Sequence, residues 1–145
     1  MIIRKRESRS GENSALHFCL VSCLRRRSGT VNVEAVVLKT LIEQGDDSWL
    51  LGIILQEILQ GIKQPKDFQM LKKYFDSFPI INPDRAEYIK AAELKNHLIK
   101  KGKQASTVDV LIASSAISHN CHLFTTDEDF LHIAEHSKLK LFNIH

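Results

Sequence analysis

The first 45 residues of this 145-residue chain contain no aspartate, and the whole chain contains few residues that interrupt regular structure: three prolines and six glycines. No internal repeat or low-complexity segment is present. The hydrophobic fraction of 43% is enough for a packed core, which argues against intrinsic disorder. The length fits one domain and leaves no room for two ordinary ones.

Cysteine is also scarce, with Cys19, Cys23 and Cys121 as its only occurrences. The odd count and the lack of a CxxC pair argue against a disulfide framework and favour a reducing compartment. No apolar run approaches the roughly 18 residues that a membrane span needs. The apolar stretch 15–24 is followed by three arginines, whereas a signal peptide ends in small residues. We therefore expect a soluble cytoplasmic protein without a membrane partner.

Positive charge is concentrated at the N-terminus. The net charge is +3, but residues 1–30 carry seven Lys or Arg and two Glu, a net of +5, which leaves −2 for residues 31–145. A basic segment attracts nucleic acid, although a solvated basic tail explains the charge equally well. We divide the chain into a divergent basic segment, 1–30, and a folded domain, 31–145.

Apolar spacing predicts alternating helices and short strands over the rest of the chain. The sequence Ser48-Trp-Leu-Leu-Gly52 is typical of a buried strand, and Asn82 is a suitable cap for a helix that begins at Pro83. Such alternation predicts an α/β fold with a mostly parallel sheet covered by helices. The predicted helices are 32–44, 53–62, 65–78, 83–102, 108–119 and 127–136, and the predicted strands are 48–52, 79–81, 122–125 and 140–142.

Three carboxylates stand out, whereas most acids lie in turns or on exposed helix faces. Glu57 is the only charge in the apolar stretch 52–61, Asp109 lies in the first turn of a helix, and Asp127 follows a strand. Each has an ordinary explanation, since Asp109 suits a helix dipole and Asp127 suits an N-cap. However, a parallel sheet gathers the residues that follow its strands at one edge.

If these acids and the nearby Asp129 converge at that edge, they can stay ionised together only around a cation. Oxygen ligands select hard Mg²⁺ or Mn²⁺. Such an ion generates a hydroxide nucleophile and stabilises an in-line phosphoryl displacement. The pattern therefore indicates metal-dependent hydrolysis of a phosphodiester.

Three segments that contain these acids carry a family resemblance. They are Gly52-IILQEILQG-Ile62, Ser106-TVDVLI-Ala113 and Leu123-FTTDED-Phe130. In order and spacing they resemble the segments of PIN domains that supply the second, third and fourth active-site acids. The resemblance spans about residues 33–142 and is closest to the VapC branch of the family.

This resemblance implies a three-layer α/β sandwich with a central, mostly parallel sheet of four or five strands. It also implies a Mg²⁺- or Mn²⁺-dependent endoribonuclease that cleaves structured RNA such as tRNA. VapC proteins are toxins, usually homodimeric, that pair with an antitoxin protein. By motif position, Glu57, Asp109 and Asp127 are catalytic metal ligands, Asp129 is a fourth candidate ligand, and the Thr125 hydroxyl orients the site.

The sequence departs from the family at its N-terminus, where the first strand normally ends in a metal-ligating Asp. Met1-Ile2-Ile3 is a candidate start for that strand, and the alternative is 15–24, ending near Ser22 or Cys23. Neither contains an Asp. Residues 4–30 are thus a divergent or frame-shifted replacement, and the alternative function is a catalytically impaired PIN-like module that binds antitoxin or RNA without efficient cleavage.

Other motifs are weaker. His132-Ile-Ala-Glu-His136 matches the HxxEH string of zinc peptidases, but only nine residues remain for a third ligand. His17, Cys19 and Cys23 lack an evident fourth zinc ligand. Lys101 and Lys103 follow a predicted helix and are candidate contacts for RNA phosphates, although lysines at a helix C-terminus need no such role.

Overall fold

The computed structural model describes residues 3–5, 18–20, 48–76, 78–125 and 127–141. The strands are β1 (Ile3–Lys5), β2 (Phe18–Leu20), β3 (Ser48–Leu51), β4 (Ile80–Ile81), β5 (Cys121–Phe124) and β6 (Lys140–Leu141). The helices are α1 (Gly52–Gln60), α2 (Pro65–Phe75), α3 (Arg85–Lys100), α4 (Thr107–Ser118) and α5 (Asp129–Glu135). The predicted helix 32–44 and most of the basic segment 1–30 lie outside the described residues.

The sheet is built around β2. Cys19 of β2 lies opposite Trp49 of β3 and Leu123 of β5, and both pairings are parallel. β4 pairs with β3, and β6 pairs with β5, again in parallel. β1 is antiparallel to β3 and β5. Five of the six strands in the described ranges therefore run in parallel, which confirms the α/β prediction. The parallel strand nearest the N-terminus is β2, which lies within the candidate segment 15–24.

The core lies between this sheet and the helices that follow its strands. α4 is buried around most of its circumference because its small Ala and Ser side chains allow neighbouring elements to approach closely. Apolar side chains from β3, α1, β5 and α5 complete the same cluster. Its fully buried large members are Phe130, Leu50, Leu51, Ile54, Leu98 and Ile112.

The start of α3 differs from the prediction. The helix begins at Arg85, and Asp84 rather than Asn82 is its N-cap. Asp84 Oδ1 accepts from the Glu87 N–H at 2.8 Å, while Glu87 Oε2 accepts from the Asp84 N–H at 3.0 Å. This reciprocal capping box satisfies two backbone donors at once, which a cap at Asn82 would not do.

Two further helix ends lie inside their predicted limits. α2 ends at Phe75, and the chain turns so that the Phe75 and Phe78 rings pack with centroids 5.7 Å apart. α5 begins at Asp129, so Asp127 lies outside the helix. Within the described ranges, none of the helices combines the length and apolar character needed to cross a membrane.

Candidate active site at the carboxyl edge of the sheet

The strand directions place three of the predicted acids at the same edge of the sheet. β3 and β5 are both parallel to β2, so their carboxyl ends point the same way. Glu57 lies in α1, which begins directly after β3, and Asp127 lies just beyond the end of β5. α4 leads into β5 through a short turn at Asn120, so the first turn of α4, with Asp109, also lies at the carboxyl edge.

A cavity of about 400 Å³ shows that α1 and α4 meet, and none of the three acids is among its lining residues. It is bounded by the start of α1, the loop that follows β4, and the start of α4. Its wall includes Gln56, the neighbour of Glu57, and Val108, the neighbour of Asp109. The full lining is Gly52, Ile53, Gln56, Asn82, Pro83, Tyr88, Thr107, Val108 and Leu111. We call this space the edge cavity.

Asp109 is buried and closes the N-terminus of its own helix. Asp109 Oδ2 accepts from the Ser106 N–H at 3.2 Å, and the Ser106 hydroxyl oxygen accepts from the Asp109 N–H at 3.0 Å. The ordinary explanation of an acid in a first helical turn therefore applies. The same two bonds fix the direction of the carboxylate at the edge of the sheet.

Asp127 lies in a turn that a hydroxyl group holds. Thr125 Oγ1 accepts from the Asp127 N–H at 2.9 Å, and Asp127 Oδ1 accepts from the Asp129 N–H at 3.1 Å. Asp127 is half-buried, and Asp129 is exposed. Asp127 thus supports the first turn of α5 without being its N-cap residue, which is Glu128. The Thr125 side chain thus acts on the backbone of Asp127, and its expected role in orienting the site stays a prediction.

Glu57 is half-buried in the middle of α1, whose other residues carry no charge. The helix begins at Gly52 without a side-chain cap and without an acid in its first turn. Glu57 therefore does not serve the helix terminus as Asp109 does. A half-buried acid on an apolar helix is costly unless a partner or a cation compensates its charge.

The donor chemistry at this edge suits a divalent cation, because Glu57, Asp109 and Asp127 offer only carboxylate oxygens. The side chains do not form a closed ligand set, since the described part of the chain contains no group of three or more His, Cys, Asp or Glu able to hold a metal ion. Residues near Ser22 and Cys23, where the first acid is expected, lie outside the described residues.

The basic residues in the loop before α4 lie near the start of α4, which is also where Asp109 lies. Lys101 is exposed and Lys103 is half-buried in the loop that connects α3 to the Ser106 cap. Sequence analysis missed a third lysine: Lys95 Nζ donates to Thr107 Oγ1 at 2.8 Å, on the wall of the edge cavity. The sequence does not reveal this contact of Lys95, because the contact depends on how α3 crosses α4.

Besides Asp109, the described ranges contain a second buried acid, Glu87, which differs from the expectation that acids other than the three lie in turns or on exposed helix faces. Glu87 Oε1 lies 3.3 Å from His119 Nε2, a close contact that lacks the geometry of a hydrogen bond. Its backbone carbonyl also accepts from the Ser114 hydroxyl at 3.3 Å. Glu87 thus joins α3 to α4. The Asp84-x-x-Glu87 spacing is a readable capping-box signal.

The HxxEH string lies on α5, away from the acids of the edge. His132 Nδ1 lies 3.7 Å from Glu135 Oε2, and both side chains are exposed. His136 is half-buried, and its Nε2 has no hydrogen-bond partner among the described residues. Of the three residues of the HxxEH motif, His132 and Glu135 are therefore exposed to solvent.

Comparison with known proteins identifies a matching family and similar solved structures. The family model of the PIN domain matches residues 31–136. No curated protein matches the chain. Among solved structures, FitAcB from Neisseria gonorrhoeae is similar, with 21% identity, a TM-score of 0.62, and coverage of 81% of this chain and 88% of that chain. VapBC2 from Rickettsia felis, solved bound to a DNA fragment from their promoter, has 24% identity, a TM-score of 0.64, and coverage of 79% and 87%.

These two likenesses agree with the parallel sheet described above, and the family match covers more than half of the chain, including all three acidic segments. The resemblance found in the sequence is confirmed: the chain belongs to the PIN domain family.

Proposed function

We propose that this protein is a divalent-metal-dependent endoribonuclease and the toxin of a toxin–antitoxin pair. The observation that carries the proposal is the direction of the strands: β3 and β5 are both parallel to β2, so the helix after β3, with Glu57, and the start of α4, with Asp109, lie toward the same edge of the sheet. Asp127 follows a strand that ends at the same edge of the sheet. PIN domains are in general metal-dependent nucleases, and the fold neighbours VapBC2 and FitAcB support the toxin assignment.

Each acid has a role in this proposal. Glu57, Asp109 and Asp127 hold one Mg²⁺ or Mn²⁺ ion, and Asp129 is a further ligand or supports Asp127. The bound ion supplies a water of lowered pKa and stabilises negative charge on the phosphate. The chain's own contribution is to fix its carboxylates: Ser106 orients Asp109, and Thr125 holds the turn at Asp127. Lys101 and Lys103 contact phosphates of the RNA, for which tRNA is a candidate.

The proposed protein partner is an antitoxin, and an apolar groove between α1 and α2 offers it a surface. The groove has a volume of about 420 Å³ and is lined by Leu55, Leu59, Phe68, Lys72, Phe75, Asp76, Phe78 and Ile80. Most of these apolar side chains are half-buried and Ile80 is exposed. A contiguous apolar surface of this kind is typical of protein interfaces. An amphipathic segment of the antitoxin would bury it. We propose in addition that the toxin is a homodimer.

RNA cleavage tests the catalytic proposal. The wild-type protein is expected to cleave RNA with Mg²⁺ or Mn²⁺ and to stop when EDTA is added. Glu57→Gln and Asp109→Asn should reduce cleavage to background, because each removes the charge of a ligand and preserves its shape. Asp67→Asn is the matched control, since Asp67 is an exposed acid in the first turn of α2. Equal cleavage by all four proteins would defeat the proposal.

A second candidate is a PIN-like module that binds antitoxin or RNA but cleaves poorly. Two observations favour it: the N-terminal segment lacks the expected Asp, and no closed group of acids exists within the described ranges. It predicts that expression without antitoxin does not slow growth, while antitoxin still co-purifies. Toxicity that Asp127→Asn abolishes would contradict it.

A further inference from the structure

The edge cavity contains groups that a metal ion does not need. None of its nine lining residues is charged. Four of them carry neutral hydrogen-bonding groups, namely the amides of Gln56 and Asn82 and the hydroxyls of Thr107 and Tyr88. The other five are Gly, Pro and aliphatic residues. This mixture of apolar wall and neutral donors and acceptors suits an uncharged, planar, polar ligand rather than an ion.

Tyr88 provides the flat surface for such a ligand. It stands on the first part of α3 with 55% of its surface exposed, although it is one of the largest apolar side chains in the described ranges. It lines the cavity together with Leu111 and Val108 of α4. An aromatic ring beside an apolar wall is the arrangement on which nucleic-acid bases stack.

Glycine at position 52 keeps the cavity open. A Cβ atom added at Gly52 would lie 3.3 Å from Asn82 Oδ1 and 3.8 Å from Ile80 Cγ2. The amide of Asn82 therefore approaches the backbone at the start of α1. Asn and Gln amides present a donor and an acceptor side by side, which is the pattern that base edges display.

A positive charge lies beside this neutral cavity. Lys95 Nζ is fixed by its 2.8 Å bond to Thr107 Oγ1 on the cavity wall. A nucleotide whose base enters the cavity can therefore place a phosphate toward Lys95, while the acids of the neighbouring turns remain available for the scissile bond. The volume of about 400 Å³ is at the small end of the roughly 300–1,000 Å³ typical of ligand sites, which suits one nucleotide rather than a helix of RNA.

We infer that the edge cavity binds one unpaired nucleotide of the RNA substrate, with its base stacked on Tyr88 and its edge read by Gln56 and Asn82. This inference rests on the proposed ribonuclease function and adds a base-binding subsite to it. The substrate is cut beside a single-stranded or flipped-out base, because a paired base cannot enter the cavity. Tyr88, Gln56 and Asn82 are then specificity-determining residues.

The test measures RNA binding without cleavage. Fluorescence anisotropy in EDTA, with a short single-stranded RNA, compares the wild type with Tyr88→Ala, Tyr88→Phe and Tyr74→Ala. Tyr74 is a matched control because it is an exposed tyrosine, on α2, that does not line the cavity. Tyr88→Ala should weaken binding roughly tenfold, within the range measured for loss of one stacked base. Tyr88→Phe keeps the ring and should bind like the wild type, as should Tyr74→Ala.

Photo-crosslinking supplies a second readout that does not depend on stability. A 4-thiouridine in the RNA should crosslink to the peptide that contains Tyr88, and the duplex of the same RNA should not. Gln56→Ala and Asn82→Ala should change the ranking of the affinities for the different homopolymeric RNAs. Crosslinks elsewhere, or equal affinity of Tyr88→Ala and the wild type, would overturn the inference.

The two proposals fail in different ways. If Asp109→Asn abolishes cleavage while Tyr88→Ala binds RNA normally, the nuclease stands and the nucleotide site is wrong. If Tyr88→Ala loses binding while cleavage is independent of Asp109, the nucleotide site stands and the catalytic proposal is wrong. Binding of antitoxin, rather than RNA, that depends on Tyr88 would also overturn the inference.

Discussion

The Ser106 hydroxyl and the Asp109 carboxylate each accept a hydrogen bond from the other residue's backbone N–H, at 3.0 and 3.2 Å. Of the described helices, the one that this pair begins has the most buried residues, and its start lies at the edge of the sheet where the candidate site is placed. One carboxylate therefore completes a helix cap and is also a proposed metal ligand. Stability and activity are coupled at this position.

Removal of the cap should weaken the fold. Ser106→Ala loses the hydroxyl that accepts the Asp109 N–H, and such losses cost about 1 kcal/mol of unfolding free energy. Urea denaturation measures this change. Ser118→Ala, at the exposed last position of the same helix, is the control and should change stability by less than about 0.5 kcal/mol. Equal midpoints for the two variants would show that the cap contributes nothing.

Two consecutive residues of α5 should differ greatly in their contribution to stability. Phe130 is 1% exposed and Leu131 is 50% exposed. Phe130→Ala empties a core position and should cost about 3–5 kcal/mol, whereas Leu131→Ala should cost less than about 1 kcal/mol. Thermal unfolding of both variants measures the difference, and similar losses in the two would contradict the burial described here.

Glu87 should matter more than an exposed acid on the same helix. Glu87→Ala removes the carboxylate that caps the Asp84 N–H and faces His119, which leaves polar groups without partners at a cost of about 1–3 kcal/mol. Glu93→Ala is the control because Glu93 is exposed on α3. Chemical denaturation distinguishes them, and a Glu87→Ala protein as stable as the control would show that the contact between α3 and α4 is dispensable.

The groove between α1 and α2 should control capture of the antitoxin. Ile80 lines the groove and is 41% exposed. A charge placed there by Ile80→Asp should reduce co-purification with the product of a neighbouring antitoxin gene, because the apolar contact is lost. Ile99→Asp is the control, since Ile99 is 59% exposed on α3 and does not line the groove. The measurement is the ratio of co-purified antitoxin to toxin. An unchanged ratio for Ile80→Asp would show that the antitoxin binds outside this groove.

Much of the fold could be predicted from the sequence because local patterns determine it. The apolar run at Ser48 becomes β3, and the predicted helix 108–119 differs from α4 (Thr107–Ser118) by one residue at each end. Asn120 ends that helix region with a φ of +50°, a conformation that Asn adopts more readily than most residues. The predicted helix ends are less accurate where two nearby residues are both suitable N-caps, as Asn82 and Asp84 are.

The candidate site could be predicted only in part. Motif spacing identified Glu57, Asp109 and Asp127, because each lies just beyond a strand or in a helix that borders one. The edge cavity, Lys95 and Tyr88 could not be found, since they depend on the angle at which α3 crosses α4. Periodicity fixes which face of a helix is buried, but not how two helices cross.

The central claim is that Glu57, Asp109 and Asp127 share one divalent cation, and calorimetric titration with Mn²⁺ tests it most directly. The wild-type protein should bind Mn²⁺ at one site. Glu57→Gln, Asp109→Asn and Asp127→Asn should each weaken binding roughly tenfold or more, since changes even to groups that support a ligand cost 10- to 100-fold. Glu93→Gln should bind like the wild type. Unchanged Mn²⁺ affinity in all three acid variants would contradict the account.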